Sequence, residues 1–287
     1  MLFVLKTLLV LRILKTKFIY TLIQKPIFKE KDNRKTGNSE VFFILGCGSS
    51  INELSAEQIE IINRSESVGI NLFIMHEKLK PTYYSIEVAD IGDEGKVNNS
   101  QLLSNLVIKK SSKNKNLKFI ISYDNWPTVK RMIPNILNFG EINFIYPVGI
   151  PGRSIKNFLN LHEFIFSKFI NKLLNKEIIF SKNASVIALV YFAIFRGYKN
   201  VVLCGVDLTS EYFWEGKTGN SDYPAGKNFI NMHKSFGSRH KTDTTSLPVS
   251  MLLSGINDSN CETKLWVSSS SSRLSNKLPV FPFNVNS

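Results

Sequence analysis

Apolar runs of four to six residues alternate with longer stretches of helical spacing from residue 41 onward. The runs that predict β-strands cover residues 41–45, 67–70, 83–86, 117–122, 142–146 and 201–205. Helical spacing is clearest over 55–63, 155–174 and 184–195, and Ser55 with Gln58 fits a capping box at the start of the first. This alternation predicts an α/β fold class, a single Rossmann-like domain with a mainly parallel sheet and helices on both faces.

The segment before these runs is apolar and basic. Residues 1–23 contain no acidic side chain, and four basic ones interrupt them: Lys6, Arg12, Lys15 and Lys17. A spanning helix needs roughly 20 mostly apolar residues, and no small-residue cleavage site follows. We therefore predict that residues 1–28 associate with a membrane surface, with the lysines at the phospholipid head groups. A helix buried in the domain is the alternative. Residues 29–40 are predicted to be a solvated linker to a domain over 41–287.

The net charge of +13 and the pI near 9.5 indicate a polyanionic partner. Nucleic acid, an anionic membrane surface and a phosphorylated sugar are the candidates. The aromatic residues show no regular interleaving with arginine, which argues against nucleic acid. Cys47, Cys204 and Cys261 are isolated, and no Cys-x-x-Cys or Cys/His cluster offers a metal site. A reduced, cytoplasmic compartment is the simplest interpretation.

The first predicted strand ends in a glycine-rich turn, Gly46-Cys47-Gly48-Ser49-Ser50, and a helical pattern follows. Glycines let the backbone approach a phosphate or ribose, and a helix N-terminus favours negative charge. The third glycine of a dinucleotide fingerprint is missing, and no Lys-Ser/Thr pair completes a phosphate-binding loop. A purely structural turn remains an alternative.

Polar residues also follow other predicted strands. Asn71 comes directly after the second run, and Gly205 and Asp207 follow the last one. The carboxyl ends of parallel strands are where ligands bind, so these residues are candidate contacts, although Asn71 equally suits a turn cap. The polar residues 181–185 lead into the most apolar helix, and their N–H groups suit a carboxylate or phosphate.

Residues 209–245 are rich in glycine, asparagine, serine and aromatic residues and show no sustained period. Such segments in compact domains are usually binding loops, so we predict a substrate lid. His240 lies there in a polar, basic context, whereas His162 falls within a helical apolar pattern that predicts a structural role. A solvated His240 is the alternative, and Asp207 or Asp243 would then be the acidic groups to test.

Together these motifs resemble the bacterial sialyltransferases that decorate lipooligosaccharide. Residues 43–50 are similar to the family's strand ending in Gly-Asn-Gly-Pro-Ser. Residues 181–207 match its Thr-Ser-Gly lead-in, alanine-rich helix, Gly-Tyr-Lys and strand ending in Gly-Ile-Asp. Residues 239–243 are similar to its His-Ser-Lys-Asn-Thr-Asp motif. The resemblance covers the order and spacing of motifs from 41 to about 282.

The resemblance implies a modified GT-A-type domain with a small lid. The implied reaction is inverting transfer of a nonulosonic acid from a CMP-sugar, with no metal and no cofactor, to a glycan on lipid or lipooligosaccharide. His240 would be the general base, and Tyr212 would hold the departing phosphate. The remaining residues of the expected site would bind the donor: Gly46, Cys47, Gly48, Ser49, Asn71, Ser185, Gly205 and Asp207. The enzyme would be cytoplasmic and peripheral on the inner face of the membrane.

The sequence departs from the family at several of these positions. Cys47 replaces an asparagine, Ser49 a proline and Ala184 a threonine, while Thr209 stands where a second tyrosine is expected. The donor sugar therefore stays open. The basic apolar segment is N-terminal here, whereas the family's membrane-associating part is C-terminal.

The residues agree with metal-free chemistry. A neutral imidazole suits proton removal near neutral pH, and the sequence contains no Asp-x-Asp to hold a cation beside a diphosphate. Three alternatives remain: a different nucleotide-sugar donor, a Rossmann-type enzyme with another nucleotide cofactor, and a non-enzymatic basic adaptor. A homo-oligomer is also possible.

Overall fold

The structure is a computed structural model. It describes residues 1–23, 40–88, 94–113, 117–167, 170, 173, 178–209, 211–217, 241–259 and 262–283. Within these residues the strands are β1 (Val41–Leu45), β2 (Glu66–Ile70), β3 (Tyr83–Ile86), β4 (Leu117–Ser122), β5 (Gly140–Gly149), β6 (Ile178–Ser181), β7 (Asn200–Cys204) and β8 (Lys264–Val267). The helices are α1 (Leu2–Ile23), α2 (Ala56–Arg64), α3 (Glu94–Lys113), α4 (Trp126–Met132), α5 (Ile155–Ile165), α6 (Ser185–Phe195) and α7 (Val249–Asn257).

The strands form one eight-stranded sheet in the order β6-β5-β4-β3-β2-β1-β7-β8, and every neighbouring pair is parallel. The predicted α/β class with a mainly parallel sheet is therefore confirmed. The chain builds outward from β1 to β6 and then returns to place β7 on the other side of β1. Leu45 at the end of β1 pairs with Gly69 of β2 and with Cys204 of β7. At such a reversal of strand order, a crevice opens beyond the carboxyl ends of the strands.

The six predicted strands are confirmed to within a few residues, and so is the capping box, in which Ser55 and Gln58 bond reciprocally. The short strands β6 and β8 were not predicted. Each contains four residues and lies at an edge of the sheet, and such a short apolar run carries little periodicity. The helix predicted over 155–174 is not one continuous helix, because α5 ends at Ile165 and the backbone turns at Phe166, whereas Ile170 and Leu173 further on are helical again.

Apolar layers cover both faces of the sheet because side chains alternate along each strand. In β1, Phe42 and Ile44 face one layer, which includes α1, α5, α6 and α7. Phe43 and Leu45 face the other, which includes α2, α3 and α4. Helix α6 is apolar around its whole circumference and is buried from Val186 to Ile194, as expected for a helix enclosed by core on every side.

Helix α1 packs against β5, β6 and α5, so the first residues of the chain form part of the domain. Leu9 and Ile13 are fully buried, and the ring of Tyr20 meets Tyr146 edge to face. The opposite side exposes a continuous set of large side chains, which we call the apolar face of α1: Phe3, Val4, Leu8, Leu11, Leu14, Phe18 and Leu22. The alternative of a buried helix thus holds for one face. Membrane association of the other stays a prediction.

Within the described residues, no helix combines the length and the apolar character needed to cross a bilayer. Residues 24–39, which include nearly all of the predicted linker over 29–40, lie outside the described residues. Most of the predicted lid also lies outside them, and 211–217 and 241–243 are its main described parts.

Candidate functional site

A cavity of about 750 Å³ opens beyond the carboxyl ends of β1 to β7 and spans the point where the strand order reverses. Its volume lies in the range of small-molecule sites. Eight residues predicted from the sequence line it: Gly46, Cys47, Gly48, Asn71, Ser185, Gly205, Asp207 and Tyr212. Ser49 lies beside the cavity, and its hydroxyl donates to Glu211 over 3.3 Å. His240 is outside the described residues, but Thr242, two residues further on, lines the cavity.

The glycine turn is packed directly against the end of β7. The N–H of Gly46 donates to the carbonyl of Cys204, and the N–H of Gly48 to that of Gly205, each over 2.7 Å. A Cβ on Gly46 would lie 2.5 Å from the carbonyl oxygen of Gly205, which itself has a φ of +63°. Close approach of two strand ends therefore requires these glycines, which supports the structural alternative. The same backbone forms the floor of the cavity.

Asp207 is 4 % exposed and holds the glycine turn in place through two hydrogen bonds to Ser50. Its Oδ2 accepts from the N–H of Ser50 over 2.8 Å, and its Oδ1 accepts from the Ser50 hydroxyl over 2.5 Å. Oδ1 of Asp243 likewise accepts from the N–H and the hydroxyl of Ser250, over 3.0 and 2.6 Å, at the start of α7. Both carboxylates are thus engaged in positioning the backbone around the cavity.

Cys47 occupies the position where the resembled family has an asparagine. Its thiol donates to the carbonyl of Ile70 over 3.6 Å and ties β1 to the end of β2. Burial raises the pKa of the Cys47 thiol to about 12. The sulfur therefore stays protonated near neutral pH and is a poor nucleophile.

Asn71 adopts a left-handed conformation, with a φ of +48°, and its side-chain carbonyl accepts from the N–H of Glu87 over 3.0 Å. This hydrogen bond is the one expected from the turn-cap alternative, and it occupies the side-chain oxygen of Asn71. Glu87 itself lines the cavity, and its carboxylate accepts a hydrogen bond from the Ser185 hydroxyl. Sequence reasoning missed Glu87, although it follows a predicted strand directly, as Asn71 does.

The N-terminus of α6 opens onto the cavity. Its N-cap residue is Ala184, which has no side-chain oxygen to cap the helix, and Ser185 and Val186 in the first turn line the cavity. The N–H groups of a helix start attract anions. The amide of Asn183 donates to the carbonyl of Leu247 over 2.7 Å and so ties this lead-in to the segment that carries Thr242.

A short flap over residues 211–217 closes the other side. Tyr212 forms an isolated bridge with Gly48, and the N–H of Phe213 donates to the carbonyl of Cys47 over 2.9 Å. The ring of Tyr212 stacks on Trp214 at 4.6 Å between centroids. Burial raises the pKa of the Tyr212 phenol, so its hydroxyl stays a hydrogen-bond donor. The hydroxyl of Thr209, which lines the cavity, is buried without a hydrogen-bond partner among the described residues.

Two histidines support the walls rather than line the cavity. His162 is 1 % exposed and hydrogen-bonds Tyr191 and Ser259, each over 2.7 Å, which confirms its predicted structural role. His76 stacks on Phe73 and packs 5.0 Å from Phe213 at the base of the flap. Burial lowers the pKa of both histidines to about 4, so both are neutral near pH 7.

The described part of the chain contains no group of three or more His, Cys, Asp or Glu side chains arranged to hold a metal ion. Metal independence stays a prediction. The sequence matches no protein-family model, and the comparisons found no match among curated proteins or solved structures.

Proposed function

We propose that the chain is an inverting glycosyltransferase that moves sialic acid or a related nonulosonic acid from a CMP-sugar to a glycan on a membrane lipid or lipooligosaccharide. One observation carries the proposal: a single cavity at the reversal of strand order combines a close-packed glycine floor, an open helix N-terminus and a tyrosine flap. These parts suit a nucleotide, its phosphate and a leaving group, respectively. The volume of about 750 Å³ is adequate for a nucleotide-sugar.

In the proposed reaction, an acceptor hydroxyl oxygen attacks the anomeric carbon of the donor sugar from the face opposite the nucleotide. The bond between that carbon and the phosphate oxygen breaks, and CMP leaves with the electron pair. A base removes the acceptor proton, and we assign that role to His240 by the resemblance. The position of Thr242 at the cavity supports this assignment, because Thr242 lies two residues from His240 in the sequence.

The departing phosphate gains negative charge as the bond breaks. Hydrogen-bond donors fixed at that point stabilise the transition state more than the bound donor. Tyr212 and the first turn of α6 line the cavity and can supply such bonds. Because CMP carries a single phosphate, these groups suffice in the proposal without a divalent cation.

We further propose that the apolar face of α1 lies on anionic lipid, at the inner face of the cytoplasmic membrane. Leu11 and Phe18 on that face are 56 % and 65 % exposed, and large apolar patches on soluble surfaces usually mark an interaction site. The net charge of +13 provides attraction to an anionic leaflet, worth about 1 kcal/mol for each nearby basic residue. The apolar face and the charge together favour lipid over nucleic acid as the polyanion.

A second candidate is a Rossmann-type enzyme with another nucleotide cofactor. Glu87 favours it, because a carboxylate at the end of a strand can bind ribose hydroxyls. The carboxylate lies after β3, however, whereas the usual ribose-binding acid follows β2, where this chain has Asn71.

Thermal stabilisation by CMP, UDP and S-adenosylmethionine separates these functions. We expect CMP to raise the melting temperature and the other two to leave it unchanged. Hydrolysis of CMP-sialic acid should then proceed in excess EDTA. Stabilisation by S-adenosylmethionine alone would favour the second candidate, and activity that requires Mn²⁺ would contradict the mechanism.

Sedimentation with vesicles tests the lipid contact. The full chain should bind phosphatidylcholine vesicles that contain phosphatidylglycerol, and Leu11→Ser with Phe18→Ser should release it. Met251→Ser is the matched control, because Met251 is a similarly exposed apolar side chain on α7. Equal loss in both proteins would contradict a role for the apolar face.

A further inference from the structure

A second cavity, of about 240 Å³, lies between α1 and the carboxyl end of β5. Arg12 and Lys15 of α1 line it, opposite Tyr123 and Tyr146. Pro147 lines both this cavity and the large one, so the two adjoin. We call the small one the basic cavity.

The fold holds the cation of Arg12 at this point. Its Nη1 donates to the carbonyl of Gly149 over 2.6 Å, which links α1 to the end of β5. A guanidinium has five N–H donors in a rigid fork, so this bond leaves others able to bind an anion. The rings of Tyr123 and Tyr146 are stacked, with 5.1 Å between their centroids, and form one wall of the basic cavity.

The charge around the basic cavity is predominantly positive. Arg12 and Lys15 line it together with one carboxylate, that of Asp124. Lys182 stands nearby in the wall of the large cavity, where its Nζ donates to the carbonyls of Ile150 and Gly152 over 2.9 and 2.7 Å. Burial lowers the pKa of Lys182, and repulsion from Arg12 lowers it further. An anion between these cations would relieve that repulsion.

The same helix carries the apolar face. Lys15 and Leu11 are four residues apart, so both lie on the exposed side of α1. If that side rests on lipid, the mouth of the basic cavity lies at the depth of the phospholipid head groups. Phosphate is the anion found there.

We propose that the basic cavity binds the phosphate of a membrane-anchored acceptor, whose short glycan reaches past Pro147 into the large cavity. Guanidinium and ammonium groups bind phosphate through charge-assisted hydrogen bonds. The inference rests on the proposed function, and it specifies the acceptor as a phosphate-bearing lipid-linked glycan. A phosphorylated glycan and a lipid head group offer the same chemistry, and the experiment distinguishes the two.

The first arm titrates the full chain with inorganic phosphate and with glucose 1-phosphate. A hydrogen bond to a charged group contributes about 1.5–3 kcal/mol, so Arg12→Gln should weaken phosphate binding by roughly 10- to 100-fold. Arg12→Lys, which keeps the charge but loses the fork, should bind with intermediate affinity. Lys17→Gln is the matched control, since it also removes one positive charge from α1, at a residue that does not line the basic cavity.

The second arm measures binding to phosphatidylcholine vesicles with and without phosphatidic acid. An Arg12-dependent gain with phosphatidic acid assigns the cavity to a lipid phosphate. Arg12-dependent binding of glucose 1-phosphate without that gain assigns it to a phosphorylated glycan. Loss in Lys17→Gln equal to that in Arg12→Gln, or no dependence on Arg12 in either arm, overturns the inference.

Stabilisation by CMP, measured in the same proteins, keeps this inference separate from the proposed function. Arg12→Gln should retain it, which also shows that the variant folds. Failure of the wild-type chain to bind CMP would contradict the glycosyltransferase proposal and leave the phosphate result standing.

Discussion

The two sides of the large cavity are built in different ways. On the side of β1 and β7, which we call the glycine side, backbone lies against backbone, and a Cβ on Gly48 would come within 2.3 Å of Asp207 Oδ2. On the side of β5 and β6, which we call the basic side, long cationic side chains reach strand ends from a distance. There Lys182, in the wall of the large cavity, bonds two carbonyls, and Arg12, in the adjoining basic cavity, bonds a carbonyl 137 residues away in the chain.

This difference suggests that the two sides of the cavity bind different kinds of ligand. A surface made of tightly packed backbone has one shape and suits an invariant ligand such as a nucleotide. A surface made of lysine and arginine side chains fixes charge and leaves the shape adaptable, which suits a variable acceptor. Substitutions in the packed backbone of the glycine side should therefore affect the fold, and substitutions of the cationic side chains on the basic side should affect ligand binding.

The largest expected effect is on the chemistry between the two sides. Thr242, two residues from the proposed base His240 in the sequence, lines the cavity, and its segment is tied to the basic side by Asn183. His240→Ala should lower transfer by roughly 10²- to 10⁴-fold and leave folding stability nearly unchanged. The wild-type rate should fall in acid, because only a neutral imidazole accepts the proton.

His233 lies in the same predicted lid and, like His240, outside the described residues, so His233→Ala is the control and should transfer at nearly the wild-type rate. An inactive His233→Ala with an active His240→Ala would mean that the role belongs to the other histidine. If both stay active, Glu87 becomes the group to test, since Asp207 and Asp243 are engaged in backbone hydrogen bonds.

The next effect concerns the flap on the glycine side. Tyr212→Phe should lower turnover by about 10²-fold with little change in donor affinity, if its hydroxyl supports the leaving phosphate mainly in the transition state. Single-turnover rates and CMP-sugar binding measure the two quantities separately. An unchanged rate would assign the role to another hydrogen-bond donor of the predicted lid, such as Lys241 or Tyr223, the latter outside the described residues.

A pair of alanine substitutions tests the contrast in packing directly. Gly48→Ala should destabilise the fold by about 1–3 kcal/mol, because the new Cβ collides with the buried carboxylate of Asp207. At Gly149, the matched position on the basic side, a Cβ would meet a single described atom within 4 Å, Arg12 Nη1 at 3.4 Å. Gly149→Ala should stay within about 0.5 kcal/mol of wild type in urea unfolding. Equal losses would refute the contrast.

The smallest effect is in the two histidines that support the walls, His76 at the base of the flap and His162 on α5. The pKa of His162 is lowered by burial alone, whereas burial and then the charges of Lys217, Lys110 and Lys78 lower that of His76. Salt screens charges but not burial. In an NMR titration, added salt should therefore raise the pKa of His76 by a fraction of a unit and leave that of His162 in place.

Both histidines also make the folded state less stable in acid. Their folded-state pKa values of about 4 lie below the unfolded value of 6.5, so the unfolded chain binds more protons between these pH values. The stability they contribute is complete above pH 6.5 and is lost as the pH falls towards 4.

Local pattern predicted most of this architecture, because the central strands are buried on both sides and their apolar runs are unmistakable. The local pattern did not reveal β6 and β8. Each of these strands has only four residues, and its pairing partner lies far away in the chain. The positions of Asn71 and Asp207 after predicted strands identified both as cavity residues. These positions did not indicate which groups the two side chains would hydrogen-bond. The Asp207–Ser50 pair is 157 residues apart, so no local rule predicts it. Helix α1 was ambiguous for a physical reason: its buried and exposed faces are both apolar.

The long-range position of α1 also affects the synthesis of the chain. Its contact with the end of β5 joins residues 137 apart, so α1 leaves the ribosome well before the surface that will cover its inner face. At roughly 5–20 residues per second, that delay lasts about 7–27 seconds. Throughout it, both apolar faces of the helix are uncovered. A nascent chain with that exposure can reach a membrane before it can complete its fold, so lipid contact, if it occurs, can begin during translation.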